Sequence, residues 1–376
     1  MIYKETESYI LINDKMQNMF NYINEKSIDV IITDPPYEIN FMGKSWDKSG
    51  IAFNKNTWIK CYSALKDGGY LIVFGGSRTF HKIASSIEDA GFEIRDIMMW
   101  LYGSGFPKSQ NLGKQIDAKL KYGSPSASNL KKLEQEHGTN PRYIYQATNG
   151  LMSEKVLTLR KDYVCNNQWN GWGTCLKPAY EPIIIARKPF SGNLVDNVLK
   201  NNVGAMNIED CKFMSDDSLE KRYPSNVVFS YDDSDVNDVC SNLIPYNAQR
   251  YFYCAKASKK DRDEGLEEFS YKLVNAYGGS NLDKKIVDNL SSRFRSLRKN
   301  IHPTVKPTSL MQYIVRMFAP KNSLVMDCFM GSGSTGKAVM YENIERDMNY
   351  KFIGIEMMEE YLPICNARID YVLNKN

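Results

Sequence analysis

Short apolar runs recur along the chain, each closed by an acid, a glycine or a proline. Val30-Ile31-Ile32 and Tyr70-Leu71-Ile72-Val73-Phe74 are continuous rather than alternating, and too short for helices. That is the mark of strands buried on both faces. The same reading predicts strands at 10–12, 28–33, 92–101, 181–188, 323–327 and 352–356. Helical periodicity fills the gaps, at 16–22, 57–65, 81–90, 308–317 and 336–340. In the second of these, Trp58, Tyr62 and Leu65 share one face. Lys66-Asp67-Gly68-Gly69 and Gly91 act as glycine stops. Strands alternating with helices predict an α/β fold with a largely parallel sheet. The 181–188 strand is expected to pair antiparallel with 92–101.

Two stretches break the alternation. Residues 103–178 are rich in Gly, Pro, Asn and Ser, with an amphipathic piece at 112–120 and a charged piece at 129–137. Residues 189–300 are mixed, with short strands such as 226–230. Sheet-forming segments lie on both sides, so both stretches read as insertions at the binding edge of the sheet. The expected organisation is a first half of the domain at 1–102 and an insertion at 103–178. A returning strand at 179–188, a second inserted region at 189–300 and a second half at 301–376 follow. A chain of 376 residues, 43% hydrophobic, suits two domains or one domain carrying a large insertion.

The chemistry sits where apolar runs stop. Val30-Ile31-Ile32-Thr33 ends in Asp34-Pro35-Pro36-Tyr37. Proline has no N–H for a sheet ladder and fixes its own φ, so the strand must end there. A carboxylate and an aromatic face are left on a stiff turn at the strand's carboxyl edge, where open α/β sheets bind ligands. The carboxylate suits an exocyclic amine, and Tyr37 suits stacking on a flat base. Near the C-terminus, Leu324-Val325-Met326-Asp327 runs into Cys328-Phe329-Met330-Gly331-Ser332-Gly333-Ser334-Thr335-Gly336. This is again a strand, an acid and a glycine-rich turn opening a helix. Glycines allow backbone to approach a ligand, and N–H groups at a helix start suit a carboxylate or polar head. The spacing is not GxGxxG and no P-loop lysine follows, so nucleotide phosphate is a poor fit. Downstream, Phe352-Ile353-Gly354-Ile355 ends in Glu356, an acid placed to bond ribose hydroxyls.

Together these segments resemble the β group of amino-methyltransferases, which methylate adenine N6 or cytosine N4 of DNA from S-adenosylmethionine. The catalytic turn comes first and the glycine loop last, the permuted order of that group. The loop resembles the family's Asp-Pro-Phe-x-Gly-Ser-Gly-Thr, with Cys328 for proline and Ser334 for threonine. Ile10-Leu11-Ile12-Asn13-Asp14 looks like the strand whose acid holds the cofactor's adenine. His302-Pro303-Thr304-Val305-Lys306-Pro307 looks like the segment closing over its methionine part. The resemblance implies a Rossmann-like fold with an inserted target recognition region. It implies catalysis by Asp34, Pro35, Pro36 and Tyr37. It implies cofactor contacts from Asp14, Asp34, Lys306, Thr308, Asp327, Phe329, Gly331, Ser332, Gly333, Ser334 and Glu356. Asn170-Gly171-Trp172-Gly173-Thr174, Lys177 to Pro182, and Phe41 to Asp47 resemble a phage and bacterial subgroup. The last of these is assigned to closure over cofactor or base.

The implied reaction needs alignment and charge compensation, with no covalent intermediate and no metal. A target atom inside a duplex requires base flipping, and Tyr37 would offset part of the unstacking. The leading acid favours adenine N6 over cytosine N4. A non-catalytic DNA-binding relative is a further alternative, opposed by the full set of catalytic residues; an RNA or protein-glutamine substrate fits neither the motif nor its order. The expected partner is double-stranded DNA, with a homodimer and a cognate restriction endonuclease left open. The net charge of +4 alone would not indicate nucleic acid. Its distribution matters more: Lys256, Lys259, Lys260 and Arg262 follow Tyr251-Phe252-Tyr253, and Lys284, Lys285, Arg293, Arg295, Arg298 and Lys299 form a second run; either is a solvated face or a phosphate contact, and the base-modifying motif beside them adds weight to DNA. Lys44, Lys259, Lys260, Arg293, Arg295 and Arg298 are the expected DNA contacts. The eight cysteines form no CxxC pair, so a zinc site is not expected and reduced thiols are. There is no apolar run of membrane-spanning length and no signal-peptide pattern, so the expected location is the cytoplasm.

Overall fold

The structure is a computed structural model that describes residues 1–39, 45–102, 109–137, 142–145, 155–158, 164–213, 221–230, 252–254, 257–275 and 295–375. Lys44, Lys256, Lys284, Lys285 and Arg293, with most of the Phe41 to Asp47 loop, lie outside the described residues. The chain divides into two compact units, one formed by Met1–Ser104 with Ala179–Asn376 and the other by Gly105–Pro178.

The strands in chain order are β1 (Ile2–Glu5), β2 (Tyr9–Asn13), β3 (Ile28–Thr33), β4 (Leu65–Phe74), β5 (Glu93–Tyr102), β6 (Arg142–Tyr145), β7 (Lys155–Thr158), β8 (Tyr180–Arg187), β9 (Val227–Ser230), β10 (Phe252–Tyr253), β11 (Lys272–Asn275), β12 (Arg295–Arg298), β13 (Leu324–Asp327) and β14 (Lys351–Glu356). Ten of them form one sheet in the order β1-β2-β14-β13-β3-β4-β8-β5-β9-β10. All run parallel except β1 and β8. The antiparallel pairing of β8 with β5 matches the expectation for 181–188, with Met98 opposite Ile183.

The continuous apolar strands are explained by cover on both faces. In β3 every residue is buried. Val30 and Ile32 join Ile72, Phe74 and Ile185 against the helices Thr308–Phe318, Ser334–Arg346 and Leu362–Leu373. Ile28 and Ile31 join Leu71, Val73 and Ile184 against Lys55–Ala64 and Phe80–Asp89. A one-residue slip in register would exchange these sets, so the pattern fixes the pairing.

Three expectations change in detail. The 16–22 helix is a 3-10 helix, Met16–Asn21, across which Asp14 accepts hydrogen bonds from Asn18 and Tyr22. The glycines after the 57–65 helix do not separate it from the next strand. The helix ends at Ala64, β4 begins at Leu65, and Lys66–Gly69 form an irregularity between the Ile28–Leu65 and Val30–Tyr70 pairs. Part of the 189–300 stretch extends the sheet, because β9 pairs in parallel with β5 and covers an edge that would otherwise be open.

The chain leaves β3 toward β4 on one side and leaves β13 toward β14 on the other, and β3 pairs with β13. The carboxyl ends of β3 and β13 therefore flank the reversal of strand order, the position where such sheets hold ligands. Asp34 follows one of these strands and Asp327 ends the other.

Candidate active site

Asp327 is buried and its carboxylate is held by fixed donors. Oδ1 accepts from the Thr33 hydroxyl at 2.7 Å and the Phe329 N–H at 3.0 Å, and Oδ2 accepts from the Thr335 hydroxyl at 2.6 Å. Burial pushes the carboxyl up to about 6 against these three hydrogen bonds. Asp327 thus ties β13, β3 and the first turn of helix Ser334–Arg346 into one frame.

The glycine loop is anchored on every side. Gly331 has φ of +56°, and a Cβ there would lie 2.7 Å from Nε2 of His302. Glycine is required both by the left-handed backbone and by the ring above it. The Gly331 N–H donates to Glu356 Oε2 at 2.8 Å, and the Met358 N–H donates to Oε1 at 2.7 Å. Burial raises the Glu356 carboxyl to about 7 even so. The Cys365 thiol donates to the Gly331 carbonyl at 2.8 Å. The buried Arg368 donates to the Ser332 carbonyl at 2.7 Å, to Ser332 Oγ at 3.1 Å and to Ser334 Oγ at 3.2 Å. Gly333 caps the helix start in a left-handed conformation. Phe329 is half-buried against the core. At the neighbouring strand end, Asp14 accepts from Lys15 N–H, Asn18 and Tyr22, each at 2.7 Å. The Tyr22 hydrogen bond is the largest influence holding its carboxyl below the usual range.

The turn after β3 is organised differently. The Tyr37 carbonyl accepts from Thr79 at 2.8 Å, and a Cβ on Gly76 would meet the Tyr37 ring at 3.2 Å. Asp47 accepts from the N–H groups of Glu38 and Ile39 at 2.9 and 3.1 Å, fixing the backbone where Glu38 takes φ of +55°. Lys306 reaches this turn from in front of helix Thr308–Phe318. Its buried ammonium pairs with Asp34 Oδ2, donates to Tyr37 Oη at 3.2 Å and lies 3.4 Å from Glu181 Oε2 on β8. Tyr37 donates to the same Glu181 oxygen at 2.9 Å, and Tyr102 donates to the other at 3.4 Å. Asp34 Oδ1 is buried and has no hydrogen-bond partner among the described residues. Burial pushes the Asp34 carboxyl up; Lys306 opposes this and Glu181 adds to it. For Lys306, burial works against the charge, but Asp34 and Glu181 outweigh it and hold the ammonium above its ordinary pKa. Burial, then Asp34, keeps the Tyr37 phenol protonated.

The family now follows. A model of the DNA methylase family matches residues 28–367, which spans both strand ends and the loop. The chain belongs to the DNA methylase family. Curated relatives of the family include the type II methyltransferase M.HindIII of Haemophilus influenzae, 21% identical over 80% of this chain and 62% of the relative. The type II methyltransferase M.HpaI of Haemophilus parainfluenzae is 29% identical over 49% of this chain and 60% of the relative. The chain spans less than two thirds of the length of these relatives. Among solved structures, the cytosine-N4-specific PvuII DNA methyltransferase aligns over 98% of this chain and 90% of its own, at 12% identity and a TM-score of 0.44. The M1.HpyAVI complex with S-adenosylmethionine aligns over 96% and 99%, at 15% identity and a TM-score of 0.38.

The sequence-expected residues separate into groups. Asp34, Tyr37 and Lys306 meet in one cluster, where Lys306 contacts the Asp34–Tyr37 turn. Thr308 gives both its N–H and its hydroxyl to Asp261. Lys259 and Lys260 are exposed at the start of the short helix Lys259–Asp263, and Lys259 lies 5.2 Å from the Tyr271 ring. Arg295 and Arg298 lie on β12, paired antiparallel with β11.

Sequence reasoning missed Glu181, Tyr102, Thr33, Thr335, Asp261, Lys337 and Arg368. Asp261 receives Thr308 and pairs with the buried Lys337 at 2.9 Å, and Lys337 also pairs with Glu264 at 2.8 Å. Arg262 donates to the His302 carbonyl at 2.7 Å. This block fixes the segment that carries His302 over Gly331 and Lys306 onto Asp34. The one available signal was polarity out of place, a glutamate heading the apolar run Ile183-Ile184-Ile185.

Proposed function

We propose that the chain transfers a methyl group from S-adenosylmethionine to the exocyclic N6 of adenine in double-stranded DNA, with the target base flipped out of the helix. The observation that carries this reading is Asp34 Oδ1, a buried acceptor with no donor among the described residues, at the carboxyl end of β3 beside the glycine loop. A buried carboxylate oxygen without a donor is costly, and an amine N–H satisfies it. An exocyclic amine is a weak nucleophile because its lone pair is delocalised into the ring. Accepting its hydrogen bonds at Asp34 Oδ1 and the Pro35 carbonyl turns that lone pair toward the methyl group. Pro36 holds the turn, and the Tyr37 ring, backed by Gly76, offers a face for stacking.

The chain's residues fit the cofactor. The loop at Gly331 to Gly333, with Ser332, Ser334 and Phe329, would face its methionine part, and Glu356 and Asp14 its ribose and adenine. Bound S-adenosylmethionine supplies an activated methyl group on sulfur. The donor and acceptor need alignment and a preorganised charge distribution, which this rigid frame provides. Lys259, Lys260, Arg295 and Arg298 are proposed phosphate contacts.

Mass spectrometry of nucleosides from DNA treated with the purified protein and cofactor tests the reading. N6-methyladenine is the expected product. N4-methylcytosine would keep the mechanism and correct the base. No methylated base from a folded, cofactor-binding protein would overturn the assignment.

A further inference from the structure

The Lys306 ammonium has three protons and three acceptors: Asp34 Oδ2, Tyr37 Oη and Glu181 Oε2. It lies 4.8 Å from the centre of the Phe74 ring and is itself buried. Within this closed set the two carboxylates compete for one cation. Were Glu181 absent, Asp34 would be the one anionic partner of Lys306 among the described residues. Asp34 would then be a neutralised half of a buried ion pair. Its other oxygen would be a weaker acceptor for any amine.

We propose that Glu181 is a positioning residue that shares the Lys306 ammonium with Asp34 and so keeps the Asp34 carboxylate available to a target amine. The proposal deepens the methyltransferase reading and rests on it for its consequence in catalysis. Its structural part, the division of one cation between two carboxylates, stands on the distances alone. Glu181 suits the role because it comes from the antiparallel strand β8, inserted between β4 and β5. That strand faces the catalytic turn without belonging to it. Tyr102 on β5 and Tyr37 each donate to one Glu181 oxygen, which fixes the carboxylate in its place. Tyr37 thereby gains a second duty. Its hydroxyl touches both Lys306 and Glu181, so the stacking ring is held by the same charges that set the acceptor.

Among the described residues, four charged or titratable groups surround Asp34. Lys306 reaches it from the segment before helix Thr308–Phe318, Glu181 from β8 and Tyr37 from its own turn, and Asp327 ends the adjacent β13. Of these, Lys306 lowers the proton affinity of Asp34, whereas Glu181 and Asp327 are like charges that raise it. Removing the Glu181 charge eliminates one raising influence and concentrates Lys306 on Asp34, so both effects point the same way.

The test uses protein labelled with 13C at aspartate Cγ, with the Asp34 signal assigned by its loss in Asp34→Asn. In Glu181→Gln the titration midpoint of Asp34 should fall by about one pH unit. Methyl transfer should fall in kcat, with the acid limb of its pH profile moving to lower pH, while cofactor affinity stays within about twofold. Adding Lys306→Met to Glu181→Gln should send the Asp34 midpoint up past its value in the parent, because the cation that opposed burial is gone. Glu181→Asp withdraws the carboxylate without removing charge, and it should lower the midpoint by a smaller amount if Glu181→Gln does not fold. A midpoint that stays or rises in the single variant that folds overturns the proposal. Parent enzyme that transfers no methyl group would sink the functional reading and leave the titration result standing.

Discussion

Asp34 and Asp327 follow neighbouring parallel strands, and each begins a turn at the same edge of the sheet, yet their carboxylates live differently. Asp327 is surrounded by neutral donors from Thr33, Thr335 and Phe329 that belong to the frame. Asp34 has one oxygen on a shared ammonium and the other on nothing among the described residues. The first arrangement is complete and therefore rigid. The second lacks one donor among the described residues, which under the proposed function a substrate amine supplies. Two acids with the same strand-then-turn sequence context thus divide into an organiser and an acceptor, and the surroundings, not the motif, decide which is which.

The largest effect expected on the organised side comes from Gly331→Val. A left-handed conformation costs a β-branched residue roughly 1–2 kcal/mol, and the new Cβ would sit 2.7 Å from the His302 ring. Calorimetry should show cofactor affinity reduced about tenfold or more, since each 1.4 kcal/mol is tenfold. Unchanged affinity with an intact fold would remove the loop from the binding site.

A smaller effect follows from Glu356, which accepts two backbone N–H groups yet has its carboxyl raised to about 7 by burial. The unfolded glutamate titrates near about 4.3. Between these values the folded protein holds more protons than the unfolded chain, so this group's contribution makes stability fall as pH rises. Urea unfolding across that window should show the fall in the parent and a flatter profile in Glu356→Gln. An equal slope in both would mean that burial does not govern this acid.

The smallest change is at the surface. Replacing Lys260 and Arg298 by alanine should weaken DNA binding on all sequences and lower the salt slope by about one per lost phosphate contact. A change in preferred sequence with the salt slope intact would place them at base edges instead.

The sequence disclosed this asymmetry only in part. Both acids were legible because each ends a buried apolar strand, and strand ends at a switch point are determined by local pattern plus connection order. The glycine loop was legible for the same reason, and the antiparallel strand could be read from Ile183-Ile184-Ile185. What could not be read is who faces whom. Lys306 and Asp34 are 272 positions apart, and Tyr37 and Glu181 are 144 apart. No periodicity links such pairs, so the motif order that points Lys306 toward the cofactor does not show that its ammonium rests on Asp34. Nor does it show that Asp261 accepts from both the N–H and the hydroxyl of Thr308. The 16–22 segment was read as a helix from apolar spacing, which does not register the local hydrogen bonds of Asp14 that favour a tighter turn.

The most direct test of the division between the two acids is a paired measurement on Asp34→Asn and Asp327→Asn, each variant assayed for cofactor affinity by calorimetry and for methyl transfer at saturating cofactor. Asp34→Asn should keep affinity within about twofold and lose about a thousandfold in rate, the scale of a lost acid–base contact. Asp327→Asn should lose affinity and stability together, because its amide cannot accept from three donors as the carboxylate does. The account is contradicted if Asp34→Asn methylates DNA at the parent rate, or if the two variants lose affinity and rate in the same proportion.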